Sequence, residues 1–431
     1  MKESYKPYVH AVIAIIALFF YDRGGQAFIA LMAPYVIYMV IKKDANFLPA
    51  LMIHCSSGTS IQYAIFISFM LVCIIDAGKI LSNKKLRPLF IMLLGVLPIY
   101  IVLIVQKMNY DSFTWQAAFN YTCCYLSFWA FLYCVLLSNT ISSRILSTII
   151  VSIVVLYLFG NVLNFINISR LSSIFMLLSL VYGFFIILKT KYFVVGFVIM
   201  VLGVPAFLFG EHGTFTSLIS VIYAISVIIL WDRRKRFISK TMGWIPFIVI
   251  FIIIFYGIIN YRTVDLGNYS DSMDFSSWSG FWSRLRFKLY GDRAVFWDAG
   301  WDQLMYYTPW FPKHNMPDII VYDLEGRIAE VEFGAHNSPL QLLRIFGFIM
   351  GGVLIVCYMI MTILSSDYFK LFNSNRWEVP LFAISITNTI VVFLTGTLSM
   401  LPEFALFSFG LMGVAYGKYI NQGMRHENTF S

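Results

Sequence analysis

The sequence predicts an all-α polytopic membrane protein, with about 12–14 transmembrane helices and one large periplasmic loop before the third-from-last span. Three observations carry that prediction. Hydrophobic residues make up 59% of the 431-residue chain and charged residues only 12%, so apolar runs of span length recur from end to end. Nothing alternates with the period of a β-barrel strand. The net charge of +9 is gathered rather than spread: Lys42-Lys43, Lys79 to Arg87, Lys189 with Lys191, and Arg233-Arg234-Lys235-Arg236 with Lys240 each separate two apolar runs. That placement is the bias of cytoplasmic loops and not a nucleic-acid surface.

Spans fall at roughly 8–21, 26–41, 46–60, 61–78, 88–106, 116–137, 145–166, 171–188, 192–210, 214–231, 243–260, 340–364, 379–396 and 401–418. The first and third are short. The run 8–21 has no small-residue cleavage site after it, so it is expected to stay as a span. With this count both termini are cytoplasmic and every basic cluster falls inside. Outward connections other than the large loop carry only Arg23, Lys107 and Arg170. The chain divides into an N-terminal bundle (1–260), the loop (261–339) and a C-terminal group of helices with a short tail (340–431). All six cysteines lie in apolar runs, so neither a disulfide framework nor a thiolate metal site is implied.

Two outward connections matter: the short Glu211-His212-Gly213 turn, and the loop from Tyr261 to His336. A loop this long between helices is usually functional. It holds Trp278, Trp282, Trp297, Trp301 and Trp310, and the cations Arg284, Arg286, Lys288, Arg293 and Arg327. Aromatic faces stack on sugar rings, and arginine forks bind phosphate bidentately. The competing explanation for 278–288 is an amphipathic segment lying on the bilayer with tryptophans as anchors. Basic residues on the outer side, where few are expected, favour anion binding by Arg284, Arg286 and Arg293.

The loop closes at Phe333-Gly-Ala-His336-Asn337-Ser338-Pro339, where a hydrophobic run begins. Pro339 suits a first helical turn, with Asn337 or Ser338 as its cap. His336 then stands at a helix mouth, where free N–H groups favour an anion. Histidine titrates near neutrality and can take a proton from a sugar hydroxyl. His314 is the rival, mid-loop and without an anchoring helix. Glu403, entering the last span from outside, is placed to orient His336 or to pair with a loop arginine; the plainer reading is a snorkelling interfacial charge. Gly347 and Gly351 form a GxxxG, most simply a helix-packing face. No two histidines share a helical face and no Asp-x-Asp occurs, so no metal site is expected. No nucleophile elbow is present either.

His336-Asn337 followed by Gly347, closing a large outer loop before a span, resembles the superfamily of O-antigen polymerases (Wzy) and O-antigen ligases. Arg293-x3-Trp297 is similar to that family's stretch at the start of its loop motif. The match covers the architecture broadly, and its motifs lie within about residues 200–360. Two departures stand out. Glu211-His212-Gly213-Thr214 occupies the place of a family arginine, so His212 substitutes for it or the role passes to Arg284 or Arg286. Met350-Gly351 stands where ligases carry threonines. The resemblance implies a metal-independent glycosyltransferase of the bacterial inner membrane, without cofactor. Its donor would be an oligosaccharide on undecaprenyl pyrophosphate. His336 would act as base, Arg293 on the pyrophosphate, and Arg284, Arg286, His212, Asn337, Trp297 and Glu403 would hold substrate. Its partners would be the lipid-linked oligosaccharide and the bilayer, with room for a chain-length regulator protein and none for nucleic acid. Polymerase is the first expectation and ligase the second. A lipid-linked oligosaccharide transporter is the alternative from another class; it would favour internal repeats, broken helices and midplane charges.

Overall fold

The computed structural model describes residues 5–55, 61–108, 124–163, 169–209, 214–231, 241–260, 293–307, 310–311, 319–322, 328–332, 337–371, 377–395 and 406–427. These are predominantly helical. The first helix, α1 (Lys6–Ile41), keeps helical hydrogen bonding throughout, yet its ends meet. His10 Nδ1 lies 2.9 Å from the Tyr35 hydroxyl, and the His10 ring packs edge-on against Phe47. On a straight helix, His10 and Tyr35 would stand about 37 Å apart. The chain therefore doubles back within α1, and its two arms coincide with the runs 8–21 and 26–41.

A second reversal follows. Helix α2 (Leu48–Cys55) is wholly buried, and α3 (Ile61–Ile75) runs back beside it. Lys43 Nζ reaches Asp76 Oδ2 at 2.5 Å, so α3 ends at the level where α2 began. At 1.5 Å per residue α2 extends only about 12 Å. The described part of the run 46–60 is buried helix, and residues 56–60 lie outside the described residues.

Other contacts gather the basic connections at that same level. Helices α4 (Ala77–Ser82) and α5 (Arg87–Met108) flank Lys85, whose Nζ lies 3.2 Å from Asp367 Oδ2. Asn421 donates to Ser138 Oγ at 2.9 Å, next to α6 (Trp129–Leu137). Glu378, 5% exposed, accepts from Lys418 Nζ and Ser143 Oγ, each at 2.7 Å, and from the Tyr368 hydroxyl at 3.3 Å. Ser143 opens α7 (Ser143–Leu163). The Tyr182 hydroxyl of α8 (Ser169–Lys189) donates to the Trp377 carbonyl at 3.0 Å. The clusters at Lys42-Lys43 and Lys79–Arg87 and the segment 367–378 therefore share one face of the bundle.

Asp76 shows what that face contributes. Lys43, donating to its carboxylate, holds Asp76 below the usual acid range; burial opposes this, and Lys79 at 3.1 Å adds to it. A carboxylate lowered in the folded state stabilises the fold above the unfolded acid's range near 4, and that contribution is lost as pH falls below it. The Lys43 and Lys79 side chains are 34% and 69% exposed, so solvent screening keeps the effect small. Asp76→Asn is expected to cost roughly 0.5–1 kcal/mol at pH 7 and nothing near pH 2. Melting curves at the two pH values check it.

The remaining helices are α9 (Phe193–Phe209), α10 (Thr214–Trp231), α11 (Ile245–Asn260), α12 (Arg293–Tyr307), α13 (Ser338–Ser366), α14 (Val379–Thr395) and α15 (Leu411–Glu427). Helix α14 is the central strut, buried on every side from Val379 to Phe393. It is tied sideways by Asn388 donating to Ser408 Oγ and by the Thr387 carbonyl accepting from Ser220. Helices α8 and α9 approach closely through glycine: a Cβ on Gly196 would stand 2.7 Å from the Gly183 carbonyl oxygen. Large apolar side chains on α9 (Phe193, Val194, Phe197, Val198, Val201) face outward, as do Ile248, Phe251 and Ile252 on α11.

Three differences from the span pattern appear. The last helix runs to Glu427 rather than stopping at 418, because Lys418 and Asn421 are bonded inside the polar face instead of ending the helix. Within the loop, β1 (Ile319–Tyr322) and β2 (Ile328–Glu332) form an antiparallel pair, a small addition no apolar span foreshadows. And α13 is broken at Gly347. Among the described residues two stretches, Arg87–Val105 and Ser338–Lys370, are long and apolar enough to cross a membrane by length and composition. The second contains that break, which leaves a straight arm of about 28 Å after it.

Candidate functional site

The site is built where helix α12, within the loop, meets the start of α13. Asn337 is in extended backbone, and its side chain accepts from the Leu340 N–H at 3.1 Å, the N-cap that its position before Pro339 predicts. Ser338 donates to the Val392 carbonyl of α14. Asn337 and Ser338 are 2% and 1% exposed, so α13 starts inside the protein, fastened to the central strut.

Nine residues on, the helix turns. Gly347 has φ 74° and ψ 173°, a conformation essentially confined to glycine. A Cβ on Gly351 would lie 2.6 Å from the Leu342 carbonyl oxygen. In a straight helix these residues are about 13 Å apart along the axis, so 338–346 folds back against the start of the longer arm. The pair Gly347/Gly351 is therefore not the helix–helix packing face expected of a GxxxG. One glycine makes the bend, and the other lets the chain's own backbone approach.

Helix α12 closes over this bend. It packs against α11, β1 and α13. Trp310, just beyond its end, puts its carbonyl at the bend, where it accepts from the Ile349 N–H at 3.3 Å. A Cβ at Gly347 would come within 2.6 Å of that carbonyl oxygen. Trp301 and Trp310 both set their rings 6.1 Å from Phe348. Beneath them Arg344, 2% exposed, donates from Nη1 to Gln341 Oε1 at 2.9 Å and from Nη2 to Gln303 Oε1 of α12 at 2.8 Å.

Of the residues singled out from the sequence, Asn337 is the buried cap of α13, and Arg293 is the first residue of α12. Trp297 is only 2% exposed, with no hydrogen-bond partner for its Nε1 among the described residues. Trp301 and Trp310 are the exposed tryptophans of this corner among the described residues. His336, Arg284, Arg286, His212 and Glu403 lie outside the described residues, as does the rival His314. Arg344, Gln303 and Gln341 were not anticipated. The signal was present: a charge inside the apolar run 340–364 is costly in a membrane and calls for a partner. No group of acidic, histidine and cysteine side chains able to hold a metal occurs among the described residues. Comparison of the chain with family models and with curated proteins finds no match to either.

Proposed function

We propose that this chain is a polytopic membrane glycosyltransferase, a polysaccharide polymerase for O-antigen or capsule. It would move a growing glycan from undecaprenyl pyrophosphate onto a carrier-linked repeat at the periplasmic face of the bacterial inner membrane. The observation that carries the reading is the joined loop. Helix α12, which begins at Arg293, is fastened by Gln303 and Trp310 to the bent segment that begins just after His336. The outward-facing apolar residues of α9 and α11 and the polar face shared by the basic connections support a many-span membrane protein with both termini cytoplasmic. Carrier pyrophosphate is already a good leaving group. The protein has then to neutralise charge developing on it, by arginine, and to remove a proton from the acceptor hydroxyl, by His336. The ligase reading keeps the same chemistry with lipid A–core as acceptor.

One observation favours a second reading. A broken helix with a buried charge is a feature of transporters, and α13 has both in Gly347 and Arg344. The surface-glycan profile of deleted and complemented cells separates the readings. A single repeat on its normal acceptor with the long ladder gone means polymerase. Long chains piling up on the carrier mean ligase. An unchanged ladder rejects both. Movement of carrier-linked glycan between leaflets of a reconstituted liposome, with no change in its length, establishes the transporter.

A further inference from the structure

We infer that Arg344 is a positioning residue for the transfer, holding the loop helix α12 over the segment that opens at His336; this rests on the glycosyltransferase reading. Arg344 sits seven residues beyond the Asn337 cap, on the arm of α13 that folds back. Its guanidinium spans two elements, with Gln341 on its own arm and Gln303 on α12. A planar fork can donate in two fixed directions at once, which an ammonium on a flexible stem does not reproduce. The joint is buried: Arg344 and Gln341 are 2% and 3% exposed. Hydrogen bonds made away from water are strongly directional and are costly to leave half made.

The location gives the joint its consequence. Arg293 and Gln303 share one helix, and His336 and Arg344 belong to one short run of chain. Arg344 with Gln303 therefore ties the helix that begins at Arg293 to the arm that begins just after His336. The bond between the Trp310 carbonyl and the Ile349 N–H, on the far side of the bend, is the second fastening. These two hydrogen bonds, on either side of the bend, add direction to the packing of α12 on α11, β1 and α13. A small misplacement of reacting groups is enough to lose a hundredfold in rate.

The test uses the full-length protein in nanodiscs, with carrier-linked repeat units as substrate. Arg344→Lys is expected to lower kcat roughly tenfold to a hundredfold while KM changes less than about twofold, since binding of the glycan is left alone. The exchanged pair Arg344→Gln with Gln303→Arg is expected to recover most of the lost rate, because the fork again spans the two elements. Amide exchange over 293–307 should quicken in the lysine variant and slow again in the exchanged pair. Unchanged kcat and exchange in Arg344→Lys would overturn the inference. So would a rise in KM alone, which would make Arg344 a substrate contact. If the wild type transfers no sugar while exchange still responds as described, the functional reading fails and the fastening stands.

Discussion

Gly347→Ala is expected to destabilise the protein by about 3 kcal/mol or more and to release the loop from α13. Two costs combine. The backbone conformation at φ 74° and ψ 173° is open to glycine and nearly closed to alanine, a penalty of about 1–3 kcal/mol. The added methyl would also meet the Trp310 carbonyl oxygen at 2.6 Å, inside the range that carbon and oxygen tolerate. Because that neighbour is backbone, the way to relieve the clash is to move the chain. The movement breaks the Trp310–Ile349 bond and loosens the packing of Trp301 and Trp310 on Phe348. Gly352→Ala is the control. Gly352 lies in regular helix and a Cβ there would meet nothing within 4 Å, so alanine should be neutral or stabilise by up to about 1 kcal/mol. Thermal unfolding of the two variants in the same detergent decides the matter; equal midpoints would mean that the bend can straighten at little cost.

The contrast between these two glycines marks what the sequence made legible. Apolar runs placed the helices, because burial in a helix and burial in a bilayer demand the same residues. The basic clusters at Lys42-Lys43 and Lys79–Arg87 marked connections that the structure gathers on one face, since charge is tolerated only where the chain leaves the apolar interior. The Asn337 cap was legible from its neighbours Ser338 and Pro339, a signal only a few residues long. What stayed hidden depends on residues far apart in the chain. Nothing near Gly347 says that it bends while Gly352 does not, because the cause is the Trp310 carbonyl, thirty-seven residues earlier. The reversal inside α1 falls between the runs 8–21 and 26–41, where the two were drawn as separate spans. Trp297 shows the same limit from the other side: tryptophan serves a core as well as a sugar, and only packing tells which.

His336→Ala should abolish transfer, by about 10²–10⁴-fold, in a protein that still inserts and keeps its helices. The cap of α13 is made by Asn337, and the helix is anchored by Ser338 on the Val392 carbonyl, so removing the imidazole leaves both ties in place. The proton of the acceptor hydroxyl is then left without its acceptor, so the fall belongs to kcat rather than to binding. Arg293→Lys is the companion. Lysine keeps the charge but loses the fork proposed to grip pyrophosphate, so activity should drop well below wild type. The measurement is the length distribution of carrier-linked glycan made by purified variants, with insertion checked on the same membranes. Wild-type ladders from the histidine variant would remove the proposed base. Wild-type ladders from the lysine variant would show that a point charge is enough at that position.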